Sequence, residues 1–79
     1  RHIIIDRYFE FENEHWIIDY KTSVPTSTEK LDDFLRVQRT RYATQLERYR
    51  SAIANLYPSS LGNIRTALYF TGIDVLQEF

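Results

Sequence analysis

Residues 15–22 read His15-Trp16-Ile17-Ile18-Asp19-Tyr20-Lys21-Thr22. β-branched and aromatic side chains favour a pleated backbone, so this segment is expected to be a strand. Alternation puts His15, Ile17, Asp19 and Lys21 on one face and Trp16, Ile18 and Tyr20 on the other. Both faces are largely apolar, as in a strand covered on two sides, yet one face carries a carboxylate and an amine two residues apart. An unpaired carboxylate inside an apolar strand is costly, and a charge retained there calls for a task.

Upstream, Ile3 to Phe11 has the same β-branched and aromatic character, and the polar break Glu12-Asn13-Glu14 separates the two runs. The pattern predicts a β-hairpin. Ile4, Asp6 and Tyr8 share one face of the first strand, while Ile3, Ile5 and Phe9 join Trp16 and Ile18 on the opposite side. Two registers are open. Pairing Asp6 with Asp19 leaves a two-residue turn at Glu12-Asn13, and pairing it with Lys21 leaves a four-residue turn. Either register gathers Asp6, Asp19 and Lys21.

Downstream, Ser23 to Thr28 with Pro25 reads as a loop, and Thr26 with Glu29 has capping-box spacing for a helical turn through Leu31, Phe34 and Leu35. From Thr40 to Tyr57 the apolar residues Tyr42, Leu46, Tyr49, Ile53 and Leu56 fall on one helical stripe, ended by Pro58 and Gly62. Ile64 to Thr71 is expected to be a strand, and Val75 to Phe79 a short one after a turn at Gly72. The fold class expected is α/β: a β-hairpin, then a long helix, then a strand beside the hairpin in a mixed sheet. One helix covers only one face. An upstream helix and strand are therefore expected to complete the core, and residues 1–79, which start at Arg1 on an apolar run, read as a fragment of a single domain.

Composition narrows the classes. The chain of 79 residues is 43% hydrophobic and 15% aromatic, well above a disordered tail. No run approaches the roughly 20 apolar residues that span a bilayer, which excludes a helical membrane anchor in this stretch. With no cysteine, there is neither a disulfide scaffold nor a thiolate metal site here, and a cytoplasmic location is favoured. The formal net charge of −1 announces no global attraction to nucleic acid, but the charges are segregated. Asp6, Glu10, Glu12, Glu14 and Asp19 crowd the start, whereas most arginines lie between Arg36 and Arg50. Such poles suit a metal ion beside a phosphate backbone, though two solvated faces would look the same.

Two carboxylates on adjacent strands, with an amine two residues beyond the second, have a clear chemical use. Carboxylate oxygens bind hard cations such as Mg²⁺, which takes phosphate oxygens and water as its other ligands. Asp6 and Asp19 are the expected metal ligands, and the Tyr20 side chain points away, leaving only its backbone carbonyl to reach the ion. Lys21 is placed to orient an attacking water or to offset charge on the reacting phosphate. The Asp-x-Lys spacing alone arises by chance in roughly one such chain in ten, so the weight falls on its position in an apolar strand.

These residues, Ile5-Asp6-Arg7, the run from Trp16 to Thr22, and Tyr42-Ala43-Thr44-Gln45-Leu46-Glu47-Arg48-Tyr49, together resemble the RecB-like nuclease domains of the PD-(D/E)xK type. Those domains occur at the C-termini of bacterial helicase-nucleases of the UvrD/AddA class. The resemblance spans Ile5 to about Thr71. It implies a restriction-endonuclease-like core, catalytic roles for Asp6, Asp19 and Lys21, and a Gln-x-x-x-Tyr helix motif at Gln45 and Tyr49. It further implies Mg²⁺ or Mn²⁺ as cofactor, DNA as substrate with single-stranded ends favoured, and a helicase module in the same parent chain. Helical projection places Arg41 and Arg48 on either side of Gln45 at the rim of the apolar stripe. That rim is expected to face the metal site, with the arginines on phosphates. Arg36, Arg39 and Arg50 project elsewhere.

The chain departs from the family pattern in three places. Relatives commonly have a glycine shortly before the first Asp, where Ile3 and Ile4 stand here. The upstream helix that often supplies a further ligand, frequently His, is not in this stretch, and His2 is too near Asp6 to replace it. Some relatives hold an iron-sulfur cluster on flanking cysteines, of which this stretch has none. A fragment short of one ligand is expected to hold its metal poorly and to be nearly inactive by itself. The alternative reading is a non-catalytic nucleic-acid-binding module with a degenerate nuclease fold; a protein-interaction domain with coincidental charges is a third.

Overall fold

The computed structural model describes residues 6–79. Its elements run β1 (Arg7–Phe11), β2 (Glu14–Lys21), α1 (Leu31–Leu56), a 3-10 segment (Pro58–Asn63), β3 (Ile64–Phe70) and β4 (Val75–Glu78). The expected strand positions Ile3 to Ile5 lie outside the described residues.

The four strands form one mixed sheet in the order β1-β2-β3-β4. β1 and β2 pair antiparallel, β2 and β3 parallel, and β3 and β4 antiparallel. Parallel neighbours need a crossover, and α1 supplies it. Phe11 pairs with Glu14, which leaves Glu12 and Asn13 as the two-residue turn, with φ of 52° and 65°. Two successive positive φ values are the signature of a type I′ turn, whose twist matches that of the flanking strands. Of the two registers open in the sequence, the structure selects the one that sets Asp6 across from Asp19, one step beyond the Arg7–Ile18 pair.

α1 is one continuous helix of 26 residues, where the sequence suggested a turn near Leu31 and a separate helix from Thr40. The spacing at Thr26 and Glu29 does produce a contact, since the Thr26 backbone N–H donates to Glu29 Oε1 at 3.2 Å. That contact closes a turn ahead of the helix, which begins at Leu31 with Lys30 as an N-cap lacking any side-chain bond. Asp32 and Asp33 in the first turn oppose the positive end of the helix dipole. At the other end the Tyr57 N–H donates to the Ile53 carbonyl at 2.9 Å, and Pro58 cannot continue the ladder.

The helix packs on the face formed by Tyr8, His15, Ile17, Asp19, Lys21, Thr66, Leu68 and Phe70. Ile17, Phe34, Leu46, Tyr49, Ile53, Ile64, Leu68 and Phe70 make the core, with Tyr42 and Leu35 among the half-buried side chains against it. Each fully buried side chain of this size contributes about 1.5–3 kcal/mol by leaving water. Leu56, expected on the buried stripe, is 70% exposed. A helix of this length runs about 39 Å and outlasts the strands beneath it, so Ile53 is its last core residue and Leu56 lies beyond the cover of the sheet. Gly72, expected at a turn, lies where a Cβ would come within 2.7 Å of Val24 Cγ1, so the segments leaving β2 and β3 pass close together.

The opposite face carries no helix among the described residues and is crossed by its own side chains. Arg65 reaches Glu78 at 2.6 Å and Glu14 at 3.3 Å, with its guanidinium 4.8 Å from the Trp16 ring centre, and Trp16 stacks on Phe9.

Candidate active site

Alternation on β2 points Asp19 and Lys21 toward the helix, and the hairpin register brings Asp6 to the same side. Asp6 Oδ2 accepts a hydrogen bond from the Tyr20 backbone N–H at 2.9 Å. That bond ties the end of β1 to β2 and aims the Asp6 carboxylate at Asp19. Lys21 Nζ lies 3.1 Å from Asp19 Oδ2. The three groups that the sequence singled out therefore meet.

Their environments differ. Asp19 is 4% exposed, whereas Asp6 sits at the open end of the cluster. Burial, followed by the adjoining Asp6 carboxyl, pushes the Asp19 pKa up, and Lys21 offsets part of that rise. Asp6 is held below its ordinary value, first by the hydrogen bond it shares with Asp19 and then by the Tyr20 N–H. Two carboxyls in contact resist simultaneous ionisation, so a first proton taken up by the pair resides on Asp19. The Asp19–Lys21 approach is short in distance but off the direction of a hydrogen bond, and Asp19 Oδ2 is buried with no hydrogen-bond donor. Two adjoining carboxylates, one of them buried with an oxygen that Lys21 meets off the hydrogen-bond direction, offer the oxygen donors that a divalent cation takes. Among the described residues no third His, Asp or Glu side chain joins these two.

The Tyr20 side chain projects to the opposite face, where it meets Tyr69 edge to face. Its backbone N–H points toward β1, and in strand geometry its carbonyl lies along the same edge.

No protein-family model matches the chain, and no curated protein or solved structure matches it either. What the site can do follows from its own chemistry.

On α1, Gln45 Nε2 donates to the Tyr49 hydroxyl at 2.7 Å, the one-turn spacing expected for this pair. Tyr49 serves two ends at once, with its ring in the core and its hydroxyl held by Gln45. Arg39 donates to the Glu78 carbonyl and covers the Phe79 ring, while Arg50 donates to the Ile64 carbonyl. These contacts orient one rim of α1 toward β3 and β4. Projection then turns the other rim, with Arg41, Gln45 and Arg48, toward β1 and β2, where the carboxylates lie. Arg41 and Arg48 are exposed, and among the described residues neither forms an ion pair. Arg36 is tied to Asp33 at 3.0 Å on the outer surface.

Two features of the covered face of α1, one of them at the site, escaped the sequence. The Lys21 ammonium sits 3.9 Å from the centre of the Tyr42 ring. Gln38, on the covered face of α1, is 5% exposed, and its Oε1 has no hydrogen-bond donor among the described residues. Tyr42 read as one more apolar member of the helical stripe, and no spacing rule links it to Lys21, 21 positions earlier. Gln38 lies between the two helical patterns the sequence offered and drew no reading, because a polar side chain on the core side of a helix is uncommon.

Proposed function

We propose that the chain is the core of a metal-dependent deoxyribonuclease of the PD-(D/E)xK type, which hydrolyses DNA phosphodiesters. The observation that carries this reading is the junction of Asp6, Asp19 and Lys21, with a buried Asp19 oxygen whose near neighbour is the Lys21 ammonium, off the direction of a hydrogen bond. Asp6 and Asp19 would hold Mg²⁺ or Mn²⁺, with the Tyr20 carbonyl as a further oxygen donor. When bound, such an ion supplies Lewis-acid polarisation of the phosphoryl group.

The protein's own side chains account for the remaining roles. Lys21 presents a compact positive charge beside the carboxylates, suited to balance charge that grows on the phosphate oxygens or to orient water. Gln45, fixed by Tyr49, offers an amide on the rim of α1 that faces the cluster. Arg41 and Arg48 flank it as exposed guanidiniums suited to neighbouring phosphates of a strand. Resemblance to RecB-like domains supports single-stranded ends as substrate, a helicase module in the same parent chain and a cytoplasmic location in DNA repair or recombination. Among the described residues no helix is long and apolar enough to cross a membrane.

Replacing Asp19 or Lys21 by Ala in the full-length protein tests the assignment. Cleavage of single-stranded DNA with Mg²⁺ should fall at least about a hundredfold while the fold is retained. Undiminished cutting by either variant would refute the nuclease reading.

A further inference from the structure

We infer that Tyr42 is a positioning residue for Lys21, holding its ammonium over Asp19 in the orientation that a phosphate must meet. The inference rests on the nuclease reading and adds to it a residue of α1 that acts through Lys21.

A lysine side chain has four rotatable carbons' worth of freedom and a strongly hydrated head, so it holds one direction only when something clamps it. Here two contacts do so from different elements. Asp19 Oδ2, on the same strand, lies 3.1 Å from Nζ, and the face of Tyr42, on the helix above, lies 3.9 Å from it. Lys21 is 18% exposed at its side chain, so little water competes for the ammonium. The attraction between a cation and an aromatic face grows as both lose water.

The chemistry of the clamp matters as much as its strength. An ammonium has three N–H donors and no acceptor. A second carboxylate in place of the ring would neutralise Lys21 and occupy its donors. A ring attracts the cation through its quadrupole while presenting no carboxylate oxygen, which leaves donors for a phosphate oxygen or water. Tyr42 also sits three residues before Gln45, so the same two turns of α1 fix both the amine and the amide.

Nuclear magnetic resonance of the metal-free protein gives a readout that does not depend on catalysis. The ε-methylene protons of Lys21 should be displaced well upfield by the ring face, should stay so in Tyr42→Phe, and should return to the ordinary lysine position in Tyr42→Leu. In the full-length protein cleaving single-stranded DNA with Mg²⁺, Tyr42→Leu should lower kcat about tenfold with KM unchanged, and Tyr42→Phe should restore it. Ordinary Lys21 shifts in the unsubstituted protein would overturn the inference. So would full kcat in Tyr42→Leu alongside an inactive Lys21→Ala. Should Tyr42→Leu fail to fold, the spectra of the unsubstituted and Tyr42→Phe proteins still decide. Undiminished cleavage by Lys21→Ala is a distinct result, which removes the nuclease reading and the role of Tyr42 with it.

Discussion

Burial strips water from the Asp19 carboxyl while Asp6 presses a like charge against it, and both raise its pKa; Lys21 offsets only part. A group whose pKa is raised by folding contributes stability below its unfolded value, and that contribution is lost as pH rises through the folded value. Asp6 has the opposite sign, because its lowered pKa contributes above the unfolded value and is lost as pH falls through the folded one. Asp6 is exposed and well screened, so Asp19 governs the balance. Asp19→Asn should therefore melt at a higher temperature than the unsubstituted protein at about pH 7, by the equivalent of ~1 kcal/mol, with the advantage fading toward about pH 4. Paired thermal melts across that range check this. A lower melting temperature for Asp19→Asn at neutral pH would mean that the carboxylate is a net stabiliser and that no charge is being kept at a cost to folding.

At the scale of elements, what was legible depended on how well local pattern matched long-range packing. The period-two alternation of residues 15–21 identified β2 and the face that Asp19 and Lys21 share, because β-branched and aromatic residue types read directly as a strand, and its covered face is the one that His15, Ile17 and Asp19 bury. The hairpin was legible but its register was not, since both turn lengths satisfied the same facing pattern. Backbone geometry at Glu12 and Asn13 resolves it, and only Asn13 is a residue type that adopts positive φ readily. Glu12→Asn should then stabilise the protein by about 0.5–1 kcal/mol, read as a shift of the urea midpoint without a change in slope. No gain would contradict the type I′ assignment. The length of α1 was obscured by Arg36 to Arg41, where Gln38 occupies a buried position and Val37 an exposed one, inverting the expected stripe. Its contact with Lys21 through Tyr42 depends on the crossover geometry, which no local spacing encodes.

Across the whole molecule, the cluster is assembled from three directions. β1 delivers Asp6, β2 delivers Asp19 and Lys21, and α1 lies over them with Tyr42, Gln45 and Tyr49 on the covered side. The parallel pairing of β2 with β3 makes this possible, since the crossover returns α1 antiparallel along the strands and lays Tyr42 over Lys21. The other sheet face, with Arg65 bridging Glu14 and Glu78 over Trp16, takes no part in the cluster. A cation that binds should therefore be felt most strongly at Asp6 and from Asp19 to Lys21, and next in the β3 and α1 residues packed beside them. Titrating Mn²⁺ into isotope-labelled protein and following amide broadening measures this directly. At the lowest Mn²⁺ additions, signals around Asp6 and from Asp19 to Lys21 should be lost first, and this localised loss should be abolished in Asp19→Asn, with the turn at Glu12 and Asn13 among the last to respond. Uniform weak broadening, or broadening centred on any other carboxylate, would contradict a metal site at Asp6 and Asp19.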